Sequence, residues 1–109
     1  MALSTKTLST LVVALASKAA ATEMVAIITA RSGTASPDLQ RRLVDVLGRT
    51  AGKEVIAALT SGATLSLKAS QRVIIAMAGD GTPKGGPHAA GNEMINFIQS
   101  TPNAKNITI

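Results

Sequence analysis

Ala21-Thr22-Glu23-Met24-Val25, Gly52-Lys53-Glu54-Val55-Ile56 and Gly91-Asn92-Glu93-Met94-Ile95 are three renderings of one pattern: a small residue two places before a glutamate and two apolar residues after it. The segments ahead of them repeat as well. Leu3-Ser4-Thr5-Lys6 matches Leu65-Ser66-Leu67-Lys68, and Leu11-Val12-Val13-Ala14-Leu15-Ala16 matches Val73-Ile74-Ile75-Ala76-Met77-Ala78, both at an offset of 62. Between them, Ser36 stands 32 residues after Ser4, with Leu43 and Leu47 where the first unit has Leu11 and Leu15. The chain is thus three units, about 3–31, 35–61 and 65–100. Units of this length bury a face only by stacking on one another.

Each unit reads as two helices. Leu8, Leu11, Val12 and Leu15 recur at i, i+3, i+4 and i+7, as do Ser70, Val73, Ile74 and Met77, and Leu39, Leu43, Val46 and Leu47 form a similar stripe. In the second helices the stripe is Ala20, Met24, Ile27 and Ile28, then Ala51, Val55, Ala58 and Leu59, then Ala90, Met94, Phe97 and Ile98. Ser4, Ser36 and Ser66 mark helix starts as N-caps, Pro37 and Asp38 fit a first turn, and Gly33, Gly48, Gly62 and Gly79 mark ends. Six helices follow, near 5–16, 18–31, 37–47, 50–60, 67–78 and 88–99. The expectation is an all-α domain of three helical hairpins, forming a compact bundle or a short solenoid. Each repeat glutamate falls early in its second helix, where the backbone N–H groups and dipole of that helix favour an anion.

Composition supports this architecture and closes off several chemistries. The 109 residues are 46% hydrophobic, with no Cys, Trp or Tyr and a single Phe, so the core must be built from small and medium side chains. Without cysteine there is no disulfide framework, thiolate metal site or cysteine nucleophile. No uninterrupted apolar run reaches the roughly 18 residues of a membrane span. Leu8–Ala16 followed by Ala19-Ala20-Ala21 imitates a signal peptide, but Ser4, Thr5, Thr7, Ser9 and Thr10 interrupt the apolar face and the pattern recurs at 65–78. It reads as a helix of the repeat.

The net charge of +5 fits a solvated basic surface, or else one that meets an acidic partner or nucleic acid. The cations are dispersed, Arg41-Arg42 being the only adjacent pair, and no aromatic residues alternate with them for base stacking. A nucleic-acid reading would rest on Arg41, Arg42, Arg49, Lys53 and Arg72, with helix pairs serving as helix-turn-helix units.

The third unit is longer than the others by an eight-residue insertion within Gly79-Asp80-Gly81-Thr82-Pro83-Lys84-Gly85-Gly86-Pro87-His88. Lys84 and a Gly-rich backbone suggest an anion cradle, but the P-loop order of strand, Gly-Lys-Ser/Thr and helix is missing, which favours a flexible surface arm or a partner-contacting loop. His88 is the one histidine, and a lone histidine supports neither a metal site nor a catalytic triad. No cofactor, metal or catalytic set is expected, since stacked repeats would set the three glutamates in a row rather than at one point. Beyond Pro102, residues 103–109 alternate polar with β-branched types and read either as an extended arm or as a frayed terminus; Lys105, Ile107 and Ile109, with Lys84 and His88, are the candidate partner contacts. Val13, Ile75, Val25, Ile56 and Ile95 widen the apolar arcs of their helices, so either these helices are sandwiched within the domain or a second apolar face meets another protein, as in oligomerisation or docking on an assembly.

The repeat wording is familiar. Leu3-Ser4 followed by Ala14-Leu15-Ala16-Ser17 and Ala19-Ala20-Ala21-Thr22-Glu23-Met24, with Ala76-Met77-Ala78 and Ala89-Ala90-Gly91-Asn92-Glu93-Met94-Ile95, resembles short helical-hairpin segments of tailed-bacteriophage structural proteins. The similarity covers 3–30 and 65–99 well and 36–60 loosely, where Arg41-Arg42 and Gly48-Arg49-Thr50 depart from it. The resemblance implies a non-enzymatic virion protein, such as a capsid decoration or head-fibre component. Such a protein assembles in the host cytoplasm, docks on other capsid proteins as a homo-oligomer or in many copies, and has no membrane association.

Overall fold

The computed structural model describes residues 3–30, 34–77 and 89–108, with side chains over 90–99 in the last stretch. Its order is α1 (Thr5–Leu15), α2 (Lys18–Ala30), α3 (Pro37–Leu47), α4 (Arg49–Ser61), α5 (Leu67–Met77) and α6 (Ala89–Thr108), and the described residues contain no strand. The six helices fall within a residue or two of the sequence expectation at every bound except the last. There, the extended arm is replaced by helix, because α6 continues through Pro102 to Thr108. Extending an existing helix fixes one residue at a time and gains one hydrogen bond at most steps, so Ala104 and Lys105 follow the helix more readily than an alternation of types suggests.

The helices start and stop for local reasons. Ser4, Ser36 and Ser66 each accept from the N–H three residues on, at Thr7 (3.2 Å), Leu39 (3.2 Å) and Ala69 (3.1 Å). Ser17 caps α2 in the same way, through Ala20 N–H at 3.1 Å, a cap the repeat pattern did not mark. Gly62 ends α4 in the expected left-handed conformation, whereas α1 ends on Ala16 at φ 56°. Gly48 departs differently. At φ 92° and ψ 162° it is a hinge that ends α3 and begins α4 without a side-chain cap.

The hairpins close into a ring. α1, α3 and α5 touch one another, as do α2, α4 and α6, and the end of the chain meets its beginning through α6 against α1. The only pairs out of contact lie across the bundle: α1 with α4, α2 with α5, and α3 with α6. This is an approximately threefold closed bundle, so the solenoid alternative gives way. A solenoid leaves its first and last units apart.

Repeat-equivalent side chains meet on the axis. Leu11, Leu43 and Val73, with Leu15, Leu47 and Met77, face Met24, Val55 and Met94. They leave a cavity of only about 20 Å³, and Phe97, Ile28 and Ile98 are among the other side chains buried around them. The stripes of the second helices are buried as read, apart from partly buried Ala90. In α1 the stripe is rotated: Thr7 is buried and Leu8 lies at the exposed edge. In α5, Ala69 is buried beside a half-buried Ser70.

Helix crossing inside the second and third hairpins depends on glycine. A Cβ on Gly52 would lie 2.8 Å from Val44 Cα, and one on Gly91 would lie 2.6 Å from Ile74 Cα. Real Cβ atoms do not come that close, so backbone meets backbone at these two crossings. The first hairpin has buried Ala21 in that register.

Candidate functional site

The repeat glutamates are the most regular polar feature of the fold. Glu23 takes the backbone N–H of Ser36 at 2.7 Å and its hydroxyl at 2.8 Å. Glu54 takes the same two groups of Ser66 at 3.0 and 3.1 Å. Glu93 reaches back to the start of the chain and takes Ser4 N–H at 3.2 Å and Ser4 Oγ at 2.8 Å, joined by the hydroxyl of Thr7. Each carboxylate therefore clamps the first helix of the following unit, not its own helix, and the third clamp closes the ring. The serine at each clamp has two jobs: its oxygen caps its own helix while its N–H and O–H are held by the glutamate. A carboxylate at a helix N-terminus is favoured by the dipole, so the electrostatic reason anticipated from sequence holds for a different helix.

The closing clamp makes stability depend on acid. Hydrogen bonds from the Thr7 hydroxyl, and then from the hydroxyl and N–H of Ser4, hold the Glu93 carboxyl below its ordinary 4.5, against the opposing effect of burial. A carboxyl with a lowered pKa in the folded chain contributes stability that is complete above the unfolded value and is lost as pH falls through the folded one. Melting followed by circular dichroism should show the gap between wild type and Glu93→Gln narrowing from pH 6 to pH 3. A gap that stays constant with pH would remove the ionised clamp from the account.

The cations of the nucleic-acid reading divide into two groups. Arg41 and Arg42 are engaged: Asp38 pairs with both at 2.9 Å, Asp45 lies 3.6 Å from Arg41, and Arg42 Nη1 donates to the carbonyls of Leu15 (3.0 Å) and Ala16 (3.3 Å) at the end of α1. Arg42, then Arg41, hold the Asp38 carboxyl below its usual range. Arg49, Lys53 and Arg72 make no ion pair among the described residues. Arg49 stands between two grooves, one shared with Arg41 and Lys53 and the other with Lys68 and Arg72.

Of the other candidate contacts, Lys84, His88 and Ile109 lie outside the described residues, as does the 79–88 insertion, while Lys105 and Ile107 are placed only as helical backbone of α6. The widened apolar arcs separate by helix. Val25, Ile56 and Ile95 on the second helices pack against the core, whereas Val13 and Ile75 on the first helices are each 67% exposed. Leu67, at the start of α5, is 77% exposed. The three clamp carboxylates sit in three separate junctions, and no group of three His, Cys, Asp or Glu among the described residues is arranged to hold a metal ion. No described helix is long and apolar enough to cross a membrane.

The fold thus defines an all-α closed bundle of three clamped hairpins. No family model, curated protein sequence or solved structure matches the chain.

Proposed function

We propose that this chain is a non-catalytic assembly protein that docks on other proteins through the outward sides of its first helices. Following the resemblance of its repeats, it is a virion component of a tailed bacteriophage, a capsid decoration or head-fibre protein present in many copies. The observation that carries the docking reading is the exposure of Val13 and Ile75. They occupy one repeat register, 62 residues apart, on helices whose inward sides already fill the core. Neither has a place in the ring. Large aliphatic side chains held outward on helices stabilised from within are suited to a partner surface.

Light scattering tests the oligomer. The expected solution mass is a multiple of 11.0 kDa, unchanged between low and high salt, and lowered to the monomer by Val13→Ser with Ile75→Ser at unchanged helicity. A wild-type monomer in both salts would overturn self-association. Peptide mapping of purified particles from a phage encoding the chain tests the virion assignment: its peptides are expected in structural abundance, and their absence would end that reading.

A further inference from the structure

We infer that the side of the molecule running from the α3–α4 hinge across the α4–α5 junction is a docking surface for the phosphodiester backbone of nucleic acid. The inference stands apart from the protein-docking reading, because it uses different residues and a different force.

Two junctions of the same chain differ in how their cations are met. Where the first unit meets the second, Arg41 and Arg42 have internal acceptors. Asp38 holds Arg41 and Arg42, Arg42 also bonds the carbonyls ending α1, and the Ser17 hydroxyl caps α2. Where the second unit meets the third, the equivalent positions are changed. Lys68 stands in the register of Asp38, Arg72 in that of Arg42, and Gly48 in that of Ser17. A carboxylate and a hydroxyl are therefore missing, and an ammonium has been added.

Around that junction is a cavity of about 190 Å³ bordered by Arg49, Lys68 and Arg72. Its one carboxylate, Glu54, already has both oxygens on Ser66. Arg49 also borders the adjoining groove of about 290 Å³, with Lys53 and with Arg41, which is paired there with Asp45 at 3.6 Å. The cations thus form a track through Arg49, not a closed pocket. Clustered like charges repel one another, and a polymer with a regular series of single negative charges relieves that along its length. Arginine forks match phosphate oxygens. With Phe97 buried and no Tyr or Trp in the chain, there is no surface on which bases could stack, so the contact is to phosphates and is indifferent to base sequence.

Fluorescence anisotropy of the full chain with a labelled duplex of about 20 base pairs tests this. Engagement of about three to five phosphates predicts that affinity falls roughly 40- to 500-fold between 50 and 200 mM salt. Arg49→Gln with Lys68→Gln is expected to weaken binding at least about tenfold at 50 mM salt. Lys6→Gln with Lys18→Gln removes the same charge from the matching registers, 6 for 68 and 18 for 49, of the first unit, and should leave affinity within about threefold. Circular dichroism checks that both variants fold. No binding at 50 mM salt would overturn the inference, as would equal weakening by the two variants, which would mean diffuse attraction to net charge. Tighter binding of a poly-glutamate peptide than of the duplex would also overturn it, in favour of an acidic protein partner.

Discussion

A chain carrying Glu23→Ala, Glu54→Ala and Glu93→Ala together is expected to lose about 3–6 kcal/mol of folding stability, a large share of what a domain of this size has. Each glutamate accepts a backbone N–H and a hydroxyl from an N-cap serine, and hydrogen bonds to a charged group are worth about 1.5–3 kcal/mol each when sheltered. The clamps are partly exposed, so water replaces some of that, which leaves about 1–2 kcal/mol per clamp. The three clamps lie in separate junctions and share no partner, so their losses should add, to about 3–6 kcal/mol. A domain of this size is stable by only roughly 5–15 kcal/mol. Single variants should lower the melting temperature by about 5–15 °C, at roughly 4–8 °C per kcal/mol. Among them, Glu93→Ala should cost most, because that clamp carries the added Thr7 hydroxyl. A triple variant melting within a few degrees of wild type would show that the clamps follow the packing and do not hold it.

The clamp also shows where reading a sequence stops. The repeat register brought Glu23, Glu54 and Glu93 forward, and Ser4, Ser36 and Ser66 were legible as N-caps. What joins the two sets is tertiary. Two of the partners lie 13 and 12 residues further on, but the third lies 89 residues back, and only ring closure brings it near. A local reading assigns each carboxylate to the helix that carries it, since the same dipole argument applies there. Arg42 is a similar case. As a letter it is one more cation available to a phosphate; in the fold it bonds the end of α1 and shares Asp38 with Arg41.

Most helix starts were legible because they are set within a few residues, by a serine cap or by Pro37 at a first turn, and Gly48 and Gly62 mark two of the ends. The α1 stripe was rotated because polar Thr7 is buried to serve the Glu93 clamp, a demand from the other end of the chain that hydrophobic periodicity does not record. The helical 103–108 segment was not legible, since Pro102 has no N–H for the preceding turn and ordinarily ends or kinks a helix, yet α6 runs on to Thr108. The basic side of the second and third units was only half legible. Arg49, Lys53 and Arg72 could be named, but Lys68 gains its meaning from standing in the register of Asp38, at a junction the fold creates.

Gly91→Val is expected to destabilise the chain by about 3 kcal/mol or more, and Gly91→Ala by about 1–2 kcal/mol. The alanine result is the informative one, because alanine is the better helix former by about 1 kcal/mol and an unpacked site would become more stable. Here the first added carbon meets Ile74 Cα at 2.6 Å, so α5 and α6 must move apart to admit it. That movement loosens Met94, Phe97 and Ile98, which lie on α6 and are almost wholly buried. Gly52→Ala should behave alike against Val44, with the smaller loss expected from its 2.8 Å approach. Ala21→Gly is the counterpart: buried Ala21 fills that register in the first hairpin, so glycine there loses helix propensity and packing together, about 1–2 kcal/mol. Denaturant midpoints for the three variants decide between steric and propensity control. If Gly91→Ala and Gly52→Ala raise the midpoint while Ala21→Gly lowers it, propensity alone governs and the close crossings are relaxed in solution. If all three lower it, the two glycines are there because backbone must meet backbone. The exchange of alanine for glycine between units is then a difference in helix spacing that the ring accommodates one hairpin at a time.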